Sequence, residues 1–378
     1  MELEFSTKQM MGAMKAVKKM FDKGPFSDVD VGGDDCLVAS VNAGTVMLES
    51  ASSGLYTKVT FPANVREAGQ IAVNRSMLHA LKLQGDRGTF AHKSGTNKLK
   101  FNCGQFVGEL AVSEVFDVIE AARPSDVPPL TIQMPALVAK SAAKRTCLNS
   151  TLDTLLRMKL TVQGKQLTIS CNDSFRAAAV RTNLDADSDG EGEIDVPAVF
   201  FNTVLQAIED TRVSIGFNDQ CFRIAGGGFD VCHSVMQEPD KPMVDVFDRV
   251  ATLRETDPGV IATVDTPALR DAIGSVTSVA PSGAEVRLEL LFSEKNGGQL
   301  TTSVRSATSK GKFHMPVRSL HIGSRVPVGI SAKYLLEMLN LLATDEASFY
   351  IWDKVVVLQA EKVGCCMIMP QLKNRDEE

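Results

Sequence analysis

One pattern recurs three times along the chain, and it limits the fold more than any other feature. IAVNRSMLHALKL begins at residue 71, IDVPAVFFNTVLQAI at 194 and VGISAKYLLEMLNLL at 328. Each reads as a short alternating strand, a cap or turn residue, then an apolar pattern of helical period. From Val73 to Val196 is 123 residues, and from Val196 to Ile330 is 134. Strand-like segments follow each copy, from 88, 213 and 348. The first halves repeat too: LEFSTKQMMGAMKAV from 3, LTIQMPALVAKSAAK from 130 and IATVDTPALRDAIGS from 261. Pro135 and Pro267 each suit the first turn of a helix, and Ser6 or Thr7 can supply an N-cap oxygen.

The expected architecture is α+β. It comprises three tandem domains, 1–124, 125–254 and 255–378, each with two helices and a layer of antiparallel strands. Linkers are expected near Arg123-Pro124-Ser125 and Leu253-Arg254-Glu255, and turns at Gly32-Gly33, Gly226-Gly227-Gly228 and Asn296-Gly297-Gly298. A chain of 378 residues is too long for one ordinary core, which agrees with this division. No apolar run reaches the roughly 18 residues of a membrane span, and lysines interrupt the N-terminal apolar positions. A cytoplasmic protein is expected. Its cysteines, among them adjacent Cys365 and Cys366, lack metal-type spacing and read as small buried residues.

Charge is unevenly spread. On a wheel of 100° per residue, Lys8, Lys15 and Lys19 fall within about 20° of one line, with Lys18 and Lys23 beside it. Met10, Met14, Val17 and Phe21 lie opposite. Arg75 and Lys82 sit in the second helical segment, and Lys140 and Lys144, followed by Arg145, in the third. The six helical segments together carry +7, although the whole chain carries −6. If the repeats close into a ring with helices inward, its bore is positive and its rim negative. Such lysines neutralise phosphates without reading bases, and the scarcity of aromatic residues among them favours duplex over unpaired strands.

Two further segments, LTISCNDSFRAAAVRT from Leu167 and the ending MIMPQL at 367–372, join the repeat in a resemblance. The chain resembles the bacterial DNA polymerase III β subunit, the three-domain sliding clamp, over essentially its whole length. The family's middle segment reads threonine-aspartate-glycine-histidine-arginine-leucine, where Asn172-Asp173-Ser174-Phe175-Arg176-Ala177 stands here. The resemblance implies a head-to-tail homodimer around double-stranded DNA. It implies as partners a DNA polymerase, a clamp loader and repair proteins, whose short peptides enter a groove between the second and third domains. That groove would include Leu155, Asn172, Ser174, Arg176, Ala177, Pro242, Met369 and Pro370, with Val357 and Phe247 nearby. Phe175 and Ser174 depart from the family's histidine and glycine, so the groove is expected to suit a different peptide. Ring closure is expected through Gly104–Val112 and the helix end near Val276 and Val279.

Several tempting sites fail. Asp185-x-Asp187-x-Asp189-Gly190 opens like a calcium loop, but Val196 stands where its glutamate belongs. His79, His92, His233, His314 and His321 form no ligand pair, and no nucleophile motif appears. Neither cofactor nor catalytic activity is expected. A protein-binding adaptor of three tandem repeats, without a ring, is the alternative; a solution mass of twice the chain separates the two.

Overall fold

A computed structural model describes residues 1–22, 36–42, 44–52, 54–74, 81, 83–113, 119, 123–124, 128, 130–148, 156–173, 175–184, 191–219, 221–234, 245–280, 286–305, 310–323 and 327–370. The first third holds β1 (Glu2–Ser6), α1 (Thr7–Asp22), β2 (Cys36–Asn42), β3 (Thr45–Ser52), β4 (Leu55–Pro62), β5 (Asn64–Glu67), β6 (Gly69–Asn74), β7 (Arg87–His92), β8 (Lys98–Cys103) and β9 (Phe106–Ser113). The middle holds β10 (Leu130–Pro135), α2 (Ala136–Thr146), β11 (Arg157–Gln163), β12 (Gln166–Asn172), β13 (Ala177–Asn183), β14 (Gly192–Pro197), α3 (Ala198–Ala207), β15 (Arg212–Phe217), β16 (Cys221–Gly226), β17 (Phe229–Ser234) and α4 (Val246–Arg254). The last third holds β18 (Val260–Asp265), α5 (Thr266–Thr277), β19 (Arg287–Ser293), β20 (Gln299–Arg305), β21 (Lys310–Pro316), β22 (Ser319–Ile322), β23 (Val328–Ser331), α6 (Ala332–Leu342), β24 (Glu346–Trp352), β25 (Val355–Ala360) and β26 (Cys365–Pro370).

The expected repeat is present in these elements. Strands β6, β14 and β23 end at Asn74, Pro197 and Ser331, which are the equivalent positions of the sequence pattern. Strands β1, β10 and β18 each run directly into a helix. Ser6 caps α1 by accepting the Gln9 N–H at 3.5 Å, and Asp265 caps α5 by accepting that of Ala268 at 2.9 Å. The prolines correct the alignment: Pro135 ends a strand, whereas Pro267 lies inside α5. Helix starts at Ala136 and Thr266 set the repeat at 130 residues, not the 132 between the prolines. The helix expected over 75–83 falls largely outside the described residues. Helix α4 was not expected; its sequence up to Arg254 is helical where the linker was placed.

The chain forms two compact units. One comprises Met1–Lys140, Thr161–Lys165 and Leu184–Pro239; the other comprises Ser141–Leu160, Gln166–Asn183 and Asp240–Glu378. In the first, a thirteen-stranded sheet runs β10-β15-β16-β17-β4-β3-β2-β6-β9-β8-β7-β1-β5. In the second, β12-β13-β26-β25-β24-β18-β22 lie side by side, and β21-β20-β19-β23 form a separate sheet. The pairs β3–β4, β12–β13, β16–β17 and β20–β21 are antiparallel, so short hairpins suffice to connect them.

A strand of one repeat joins a strand of the next in each unit: β4 with β17, and β13 with β26. Glycine makes both junctions possible. The Gly228 carbonyl accepts the Thr60 N–H at 2.7 Å, and that of Gly364 accepts the Arg181 N–H at 2.9 Å. Both glycines have positive φ, and a Cβ at Gly228 would sit 2.3 Å from the Thr60 oxygen.

Apolar helix faces close over the sheets. In α3, Phe200 and Phe201 are fully buried and meet Phe222 edge-on, at 6.2 and 6.4 Å. His233 stacks on Phe222 at 5.4 Å, and burial holds its imidazole below the usual range, as a core histidine. In α6, Leu335, Met338, Leu339 and Leu342 are buried, which is the helical period read from the sequence.

Candidate functional site

The helix cations come first. In α1, Lys8, Lys15 and Lys18 are exposed, while Met10, Ala13, Met14 and Val17 are buried on the opposite face. Lys15 is the ninth residue of α1, and exposed Lys144 is the ninth of α2. Lys8, Lys15 and Lys144 make no ion pair with any described residue. The side chain of Lys19, and Lys23, Arg75 and Lys82 entirely, lie outside the described residues. Lys140 differs from its neighbours. It is half-buried, and its ammonium donates to the Ile208 carbonyl just past the end of α3.

Cations on strands are mostly neutralised locally. Arg66 pairs with Glu2 at 2.9 Å, Arg87 with Glu4 at 2.8 Å and Lys98 with Glu109 at 2.9 Å. Arg223 and Lys58 share Asp230, at 2.6 and 3.3 Å. Lys310 and Lys312, on the edge strand β21, are exceptions. Among the described residues, exposed Lys8, Lys15 and Lys144 therefore leave their charge unpaired at the surface, where a polyanion can release counterions from them.

The second candidate lies wholly within the second unit. Between β12 and β13 the chain turns sharply on Asp173. Its Oδ1 accepts the N–H groups of Phe175 and Arg176, both at 2.8 Å, which is the local bond that makes aspartate a turn residue. The Arg176 side chain is only 1% exposed. Its Nε donates to Asp173 at 3.1 Å, its Nη1 donates to Glu337 of α6 at 2.5 Å, and its guanidinium lies 4.4 Å over Tyr334. Arg176 therefore fastens the turn to α6 from beneath. Phe175 is 45% exposed, with its ring 6.0 Å from Tyr334. Burial, with the Glu337 charge added, pushes the Cys147 thiol up to about 11.

Strand register sorts the remaining residues. Ala177 pairs with Asn172 on one side and Ile368 on the other, Ile368 pairs with Val357, and Pro370 with Val355. Residues directly opposite point to the same face. Helix α4, capped by Asp245, covers this face with Val246 and Val250, and Phe247 packs beside them. The Arg181 guanidinium lies 4.0 Å over the Phe247 ring. The structure thus brings Asn172, Ala177, Phe247, Val357 and Pro370 to one side of the sheet. Met369 alternates to the other side and is 1% exposed, so Ile368 occupies the expected face. Period-two alternation in Met367-Ile368-Met369-Pro370 carried that information. Glu337 had no local signal, because its partner is 161 residues away. Leu155, Ser174 and Pro242 lie outside the described residues, as does the acidic loop at 185–190.

No protein-family model matches the chain. Its structure matches the DNA polymerase sliding clamp of Bacillus subtilis with a TM-score of 0.83, at 14% identity, over 99% of each chain. It matches the β subunit of DNA polymerase from Streptococcus pyogenes with a TM-score of 0.81, at 13% identity, over 99% of this chain and 100% of that one. For the griselimycin-bound Pseudomonas aeruginosa clamp, the TM-score is 0.80 at 16% identity, with the same coverage. Matches of this extent across whole chains show that the fold is that of the DNA polymerase III β subunit, the sliding clamp.

Proposed function

We propose that this protein is a replication sliding clamp without catalytic activity of its own, acting in the cytoplasm. The observation that carries the reading is that exposed Lys8, Lys15 and Lys144, on helices of this fold, make no ion pair among the described residues, whereas most strand cations are paired. Three domains, 1–124, 125–254 and 255–378, repeat in each copy. Two copies close head to tail, with the helices facing double-stranded DNA. Contact with phosphates is sequence-independent, and topology, not affinity, retains the ring. Tethering raises the effective concentration of a DNA polymerase at the primer end. A clamp loader and repair proteins are further partners. Their peptides dock beside Asn172, Phe175, Ala177, Phe247 and Pro370, above the turn that Arg176 holds.

Open strand edges support the ring. Among the described residues, β9 pairs with β6 only at Val112 and Ser113, and β21 pairs only with β20. Val107 on β9 is 71% exposed. Joining β9 of one copy to β21 of the next would remove both edges. Val276 is buried in its own core and is withdrawn from that contact; Val279, which is exposed, stays.

Light scattering after size-exclusion chromatography tests the assembly, and retention on nicked circular DNA tests the function. A dimer that stays on circles and leaves linear DNA is expected. A monomer with no such difference would sink the proposal and favour the adaptor. No described helix is long and apolar enough to cross a membrane.

A further inference from the structure

Helices α2 and α5 hold equivalent places in successive repeats, and each carries a cation as its fifth residue: Lys140 and Arg270. Both cations do the same thing. Lys140 donates to the Ile208 carbonyl, where α3 ends. Arg270 donates to the Leu339 carbonyl in the last turn of α6. In each case a cation from the first helix of a repeat reaches the carboxyl end of the second. The last carbonyls of a helix have no intrahelical donor, and the helix dipole places partial negative charge there. A cation answers both needs.

The α2–α3 contact is reciprocal. The Gln206 side chain, in the last turn of α3, donates to the Lys140 carbonyl at 3.3 Å and to Asn202 at 3.3 Å. Each helix thus grips the backbone of the other. At α6, Ala343 adopts the left-handed conformation and returns its N–H to Leu339 at 3.4 Å, so Arg270 adds a second donor to that carbonyl. In α1 the fifth residue is Met11, 37% exposed, so the first repeat has no cation at this place.

We propose that Lys140 and Arg270 are positioning residues, each clasping the two helices of its repeat, and that Lys140 is not a phosphate contact. One turn further along α2, Lys144 is the residue that meets DNA. This part rests on the clamp reading; the clasp itself does not.

The test compares Lys140→Met, Lys140→Arg and Lys144→Met in the full-length protein. Two readouts are used: the melting temperature, and the salt dependence of binding to a short duplex followed by fluorescence anisotropy. Lys140→Met is expected to lower the melting temperature by on the order of 2–4 °C. Its slope of log K against log salt should match the parent's. Lys140→Arg should restore the melting temperature, since Arg270 already shows a guanidinium in this role. Lys144→Met should reduce the slope by about one and leave melting unchanged. The proposal is overturned if Lys140→Met reduces the slope as Lys144→Met does, or if it leaves melting untouched. Should Lys140→Met not fold, Arg270→Met and Arg270→Lys put the same question to α5 and α6. If the parent protein binds no duplex, the clamp reading fails, while the melting comparison still decides the clasp.

Discussion

Arg176 and Glu337 meet at 2.5 Å across 161 residues of chain, their side chains 1% and 16% exposed. The pair ties the β12–β13 turn to α6, and Asp173 shares the same guanidinium. Removing Glu337 leaves the buried guanidinium paired with Asp173 and takes this acceptor from its Nη1. Glu337→Ala should therefore cost about 1–3 kcal/mol by denaturant unfolding. A loss under 1 kcal/mol would show that the turn stands without its anchor.

Phe175 tests the partner surface without testing the fold. Its ring is nearly half exposed and its backbone is held by Asp173, so Phe175→Ala should change stability by less than about 1 kcal/mol. Binding of polymerase to the protein, measured by surface plasmon resonance, should weaken at least tenfold. Unchanged binding would remove Phe175 from the docking surface.

The salt dependence of DNA binding counts the phosphates engaged. Lys8→Ala combined with Lys15→Ala should lower the slope of log K against log salt by about two, for any duplex sequence. A change confined to one sequence would mean that bases are being read.

Acid should loosen the junction between β4 and β17. Burial opposes ionisation of Asp230, but the Arg223 guanidinium, with Lys58 added, outweighs it and holds the carboxyl below the ordinary range. A depressed value contributes stability above the unfolded-state pKa of about 3.9, and that stability is lost as pH falls through the folded value. Asp230→Asn should flatten the pH dependence of unfolding below about pH 4 and lower stability at pH 7. An identical acid limb in the variant would assign the effect elsewhere.

Gly228 and Gly95 both have positive φ, at 79° and 76°. A side chain at Gly95 would meet nothing within 4 Å, whereas at Gly228 it would meet the Thr60 carbonyl at 2.3 Å. Gly95→Ala should cost about 1–2 kcal/mol for backbone strain alone, and Gly228→Ala clearly more. Equal losses would mean that the junction between repeats yields to the extra carbon.

Much of this molecule was legible in the sequence, because local rules suffice for local structure. Apolar residues at helical spacing in Met10-Met14-Val17 and Leu335-Met338-Leu339 are buried as read, and Ser6 caps the helix it precedes. Gly227 and Gly228 make a turn, and Gly297 and Gly298 close a short 3-10 turn; all four have positive φ, which glycine takes cheaply. Repetition of these local signals gave the fold class and the recurring step from strand into helix, though not α4.

Tertiary structure decided what charge and register do. Nothing in the periodicity of α2 separates Lys140 from Lys144: both are lysines on one helix, one turn apart. One meets the carbonyl end of α3 and the other makes no ion pair among the described residues, because hydrogen bonding depends on which backbone group packing brings within reach. Met369 and Ile368 are neighbours on one strand and so point to opposite faces; pairing with Ala177 and Val357 decides that Ile368 takes the face under α4. Arg176 reads as a groove residue, and its contact with Glu337, 161 residues away, exists only in the fold. Local sequence sets conformation through short-range sterics and apolar period; the partner of a polar group is set by distance in space, which folding alone creates.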